Sequence, residues 1–68
     1  MNSEKILLAC KVGNENYVKM IVSLNISPIR HFVVDYFVSD DIISICNLNH
    51  LHILMYAIQS VLYDLRWC

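Results

Sequence analysis

Residues 6–23, ILLACKVGNENYVKMIVS, decide how this chain folds. Ile6, Leu7, Ala9 and Cys10 read as the apolar part of a short helix. Gly13-Asn14 breaks that helix, because glycine takes positive φ at no steric cost and asparagine both tolerates that region and caps helices. A second helix follows, with Tyr17, Val18, Ile21, Val22 and Leu24 forming a stripe at helical period. The stretch is expected to fold back as two rods whose apolar sides need neighbours to cover them.

Working outward, Ser3 in Asn2-Ser3-Glu4 is expected to cap the first helix by accepting from backbone N–H groups of its opening turn. Beyond Leu24, Asn25 is expected to close the second helix in the left-handed conformation, and Pro28 forbids its continuation. Residues 31–39, HFVVDYFVS, pull two ways. Their β-branched and aromatic content favours a strand, whereas the polar positions His31, Asp35 and Ser39 fall four apart, as on a helix. We assign a helix. Asp40 to His52 reads as an extended connector with Asn47, Asn49 and His50 as turn residues. A last helix is expected from Leu54 to Leu65, with Leu54, Ala57, Ile58, Val61, Leu62 and Leu65 on one side.

Sixty-eight residues allow one domain, and a chain this short buries a small share of its surface. It is 57% hydrophobic and 16% charged, against the usual apolar share of about 45–50%. So many apolar residues on so few positions cannot all face inward, and the surplus points to a partner, to self-association or to a neighbouring segment. Net charge −1, with Lys5, Lys11, Lys19, Arg30 and Arg66 scattered, argues against nucleic acid. Cys10, Cys46 and Cys68 are odd in number and no secretory signal is legible, which fits reduced thiols in a cytoplasmic setting. Residues 42–63 carry no formal charge and are long enough to span a bilayer. Asn47, Asn49, His50 and His52 near their middle are costly in hydrocarbon, so a membrane location is disfavoured.

Residues 6–23 closely resemble an ankyrin repeat: an inner helix with central Ala9, the Gly13-Asn14 turn, then an outer helix in the style of VVKLLLS. Ser27-Pro28 stands where such repeats often carry Asp-Pro, and residues 32–39 look like a further outer helix. Residues 47–64 resemble the start of another repeat, with His52 to Asp64 echoing TPLHYAAQNGHLEVV. The matched Ala9 and Ala57 lie about 48 residues apart, against a period of about 33, as if a middle repeat had lost its hairpin and inner helix. Family glycines are replaced by Asn25, His50 and Val61. A β-branched residue cannot take the turn conformation at Val61, so the last copy is expected to run as one continuous helix.

The resemblance implies an all-α, antiparallel helix-turn-helix stack of three to four helices with one extended connector. Residues 1–68 would form a single module, with 1–28 the best repeat, 29–46 a partial repeat and connector, and 47–68 a second, divergent repeat start. It also implies a non-catalytic module that binds another protein, through the hairpin tip at Asn49, His50 and Leu51 and through nearby Tyr56, Gln59 and Ser60. Nine Ile and six Asn are a bias that often accompanies AT-rich genomes, which fits a host-interaction factor of a large DNA virus acting in the host cytoplasm. The alternatives are a remnant or fragment of a longer solenoid, since arrays need about three repeats to bury a continuous core, and a small membrane-associated helical protein.

Other constellations are weaker. Cys46, His50 and His52 supply only three clustered metal-ligand types and read as turn residues, so neither metal nor cofactor is implied. No orienting acid or oxyanion motif accompanies Cys with His, which argues against an enzyme. Asp40-Asp41 reads as a solvated turn. Tyr36, Tyr56, Tyr63 and Trp67 fit equally a core or a partner's contact surface.

Overall fold

The computed structural model describes residues 2–37 and 50–66, and the side chains of 3–36 and 50–65. Four helices make up these residues: α1 Asn2–Val12, α2 Glu15–Leu24, α3 Ser27–Phe37 and α4 Leu51–Arg66. They pack on one another as an all-helical stack, α1 most extensively on α3 and α4 on both α2 and α3. The connector expected over Asp40 to His52 falls outside the described residues as far as Asn49. Its end differs from expectation, because Leu51 and His52 already belong to α4.

α1 and α2 fold back at Gly13-Asn14 as their sequence requires. Gly13 sits at φ +83°, and Asn14 N–H donates to the Ala9 carbonyl (2.8 Å), the bond that closes a helix end around a left-handed residue. Asn14 then caps α2, its Oδ1 accepting from Tyr17 N–H at 3.2 Å. The His50 ring lies over this turn with Nδ1 3.0 Å from the Lys11 carbonyl oxygen, so a ring N–H partners one of the carbonyls that a helix end leaves without an internal acceptor role.

Asn25 does not take the left-handed conformation. It is extended, at φ −164° and ψ 115°. Its Oδ1 instead accepts from Ser27 N–H at 3.0 Å, which starts the next helix after a two-residue connection. Pro28 stands in the first turn of α3, where its missing N–H has no intrahelical partner to lose. That start explains why α3 begins at Ser27 and not at His31. Ile29 and Phe32 are fully buried, and Val33 and Tyr36 pack beside them, the i, i+3, i+4, i+7 pattern of a helix face. Burial of this face outweighs the strand preference of the β-branched residues.

The core draws Ile6, Ala9 and Cys10 from α1, Val18 from α2, Ile29 and Phe32 from α3, and Ile53, Leu54, Ala57 and Val61 from α4. Three assignments change. Ser3 is not a cap: it lies inside α1, buried, and its hydroxyl donates to Asp35 Oδ2 of α3 at 2.9 Å. Leu24 leaves the α2 stripe and is 74% exposed. On α4, Leu62 and Leu65 turn outward, because the buried stripe is shifted toward Ile53. Val61, in the middle of the 16-residue α4, is buried, so this segment runs as one continuous helix.

Candidate protein-binding groove

Tyr56, Gln59, Ser60 and Tyr63 recur at i, i+3, i+4 and i+7, so α4 presents all four along one side. That side meets Val22 of α2 and Ile26 of the α2–α3 connection. Together with Asp64 they line an open groove of about 590 Å³, a size in the range of sites that take a small molecule or a partner's side chains. The walls are mostly apolar, from Val22, Ile26 and the two tyrosine rings.

Two of its polar groups are already engaged. Ser60 Oγ donates to the Tyr56 carbonyl one turn back (2.8 Å), and Asp64 forms an ion pair with Arg30 of α3 at one end of the groove. Near the other end, Lys19 Nζ stands 5.9 Å from the centre of the Tyr56 ring, a cation–π contact, and pairs with Glu15 at 3.2 Å. Glu15 also approaches His52 Nε2 at 3.6 Å. Oppositely charged pairs thus flank an apolar floor. Such a surface rewards an apolar or aromatic side chain over a strongly charged ligand, which would have to compete with pairs already made.

The six residues expected to bind a partner separate in the structure. Tyr56, Gln59 and Ser60 line the groove. His50 lies over Gly13 and holds the end of α1, while Leu51 is 41% exposed on the opposite side of α4. Asn49 falls outside the described residues, as do Cys46, Trp67 and the Asp40-Asp41 pair. Tyr36 packs on Phe32, with ring centroids 5.3 Å apart, whereas Tyr63 is a groove wall. Sequence reading missed Val22, Ile26 and Asp64. The 56/59/60/63 spacing was a usable signal for the α4 wall; nothing in the sequence marked the α2–α3 connection as the facing wall.

Among the described residues, no three His, Cys, Asp or Glu gather as metal ligands, and no helix is long and apolar enough to cross a membrane. Comparison of the chain with protein-family models, with curated proteins and with solved structures gives no match.

Proposed function

We propose that this chain is a non-catalytic interaction module, a divergent ankyrin-type helical unit that takes an apolar side chain of another protein into the α2–α4 groove. The observation that carries this reading is the convergence of Tyr56, Gln59, Ser60 and Tyr63 with Val22 and Ile26 on one apolar cleft. The helix–turn–helix of residues 6–23, closed at Gly13-Asn14, supports the ankyrin resemblance. Two features set the unit apart from a regular array: α2 passes to α3 through Asn25-Ile26 alone, and α4 packs on α1 as well as on α2 and α3. In a solenoid each repeat touches only its neighbours. Here the same kind of helices close into one cluster, an arrangement open to a truncated array. A viral host-interaction role in the cytoplasm rests on the Ile- and Asn-rich composition and belongs to the same proposal.

Photo-crosslinking tests it. A benzophenone side chain at position 59 in cells is expected to capture a discrete protein, and Tyr63→Ala to reduce that capture by at least fivefold. The same probe at Val34, exposed on α3, is expected to stay silent. Equal capture from positions 59 and 34 overturns the groove. A purified chain without cooperative unfolding favours the remnant reading instead.

A further inference from the structure

The α2–α4 groove runs lengthwise between two helices that point the same way. Glu15 stands beside His52, and one turn later on both helices Lys19 stands over the Tyr56 ring. Distances along α4 are therefore distances along the groove. Tyr56 and Tyr63, both on its wall, are separated by about 10.5 Å of helix rise. A polyproline II chain advances about 9 Å in each three-residue turn. Prolines three apart on such a chain meet the two rings in succession, with Gln59 between them.

Bonding capacity and charge narrow the occupant further. The α4 wall is mid-helix, so its backbone is bonded internally and offers a peptide no ladder of main-chain partners. An ordinary extended segment laid on Val22 and Ile26 would bury its own N–H groups without acceptors. Proline has no N–H and leaves only carbonyls to satisfy. Donors for these stand on the same wall: the Tyr56 hydroxyl, and the exposed Gln59 amide, which no side chain among the described residues engages. At the rim, Glu15 is matched by Lys19 and Asp64 by Arg30, and the floor between them is uncharged. An uncharged occupant keeps both pairs, whereas a charged one has to break them or lose its water unmatched. Among the described residues no sheet edge invites strand addition, and Arg30 is held by Asp64 where phosphate recognition needs a cluster of such cations. We propose, resting on the groove reading above, that the occupant is an uncharged, proline-rich segment of another protein in the polyproline II conformation, with a Pro-x-x-Pro pair packed on Tyr56 and Tyr63.

Fluorescence anisotropy of a labelled octaproline, titrated with the full chain to about 1 mM, tests the proposal. Saturable binding is expected. Tyr63→Ala, at a ring that is 62% exposed and outside the core, is expected to weaken it about fivefold with helical circular dichroism unchanged. Gln59→Leu keeps an apolar body and removes the donor, and is expected to weaken it about threefold. Val34→Ala on α3 is expected to leave it unchanged. Absence of saturation, equal weakening by Val34→Ala, or equally tight binding of an uncharged amphipathic leucine–glutamine helix would each overturn the proline-rich occupant. The groove itself is read separately. Octaproline failing to bind while the probe at position 59 still captures protein and the one at position 34 stays silent rejects the occupant and keeps the groove; equal capture at both positions rejects both.

Discussion

The two helix junctions at Gly13-Asn14 and Asn25-Ile26 do the same geometric task by different means. At the second, every bond is local. Asn25 N–H reaches the Ile21 carbonyl (2.8 Å), Asn25 Oδ1 receives Ser27 N–H, and Arg30 N–H starts α3 on the Ile26 carbonyl (3.0 Å). Asn25 is extended and Ile26 has no positive φ, so many residues could occupy these positions. At the first, the chain enters the left-handed region at Gly13, and a ring from 37 positions further along covers the turn. A Cβ on Gly13 would lie 2.8 Å from His50 Nε2. The first junction is therefore a tertiary contact as well as a turn, and it ties the start of α4 to the end of α1. The second is a hinge of ordinary secondary structure.

Changes at Gly13 should have the largest effect. Gly13→Val is expected to lower the unfolding free energy by about 2–4 kcal/mol, because a β-branched residue at positive φ costs on the order of 1–3 kcal/mol and the His50 ring must also move. In a domain whose total stability is about 5 kcal/mol, that leaves a substantial unfolded population at 25 °C. A urea titration followed by circular dichroism measures it. In a His50→Ala background the added cost of Gly13→Val is expected to fall by roughly 1 kcal/mol, since the steric part disappears while the backbone part stays. Strict additivity of the two changes would show that His50 does not press on the turn.

His50→Ala alone is expected to cost about 1 kcal/mol, the usual loss when a carbonyl gives up a protein donor at a site water can partly reach. It should also loosen the first turn of α4, visible as faster amide exchange at the start of that helix. Equal exchange there in both proteins would place the Lys11 bond outside what holds α4.

This contrast also explains what the sequence discloses. Gly13-Asn14 was legible because a glycine followed by a capping asparagine has a local meaning. Helix α3 was legible over residues 31–37 because the polar positions His31 and Asp35 fall four apart in spite of a β-favouring composition, and the structure packs Ile29, Phe32, Val33 and Tyr36 into the core on one face of that helix. The role of Asn25 was not: an asparagine after a helix suits both a left-handed end and an extended start, and only the placement of Ser27 N–H decides. The role of Ser3 is hidden for a different reason, since its partner Asp35 is 32 positions away. α4 hid most. With Leu and Ile on two adjoining sides, periodicity alone does not say which stripe faces the core, and Leu62 and Leu65 lie on the outward one. Tyr56, Gln59 and Ser60 of the groove came with the repeat resemblance; the Val22 and Ile26 wall depends on how α2 docks, which no local pattern carries.

The asparagines sharpen the comparison at the smallest scale. Asn14→Ala removes the acceptor for Tyr17 N–H, a true helix cap, and is expected to cost about 1 kcal/mol. Asn25→Ala removes an acceptor for Ser27 N–H on an exposed connection where water can replace it, so a few tenths of a kcal/mol are expected. Asn25→Gly should cost slightly more than Asn25→Ala, because an extended residue gains nothing from left-handed freedom while the unfolded chain gains entropy. If Asn25→Gly proved stabilising, the connection would have to spend time in the left-handed region, and the difference between the two junctions would be one of degree. Urea midpoints at unchanged slope resolve effects of this size when the three variants are measured side by side.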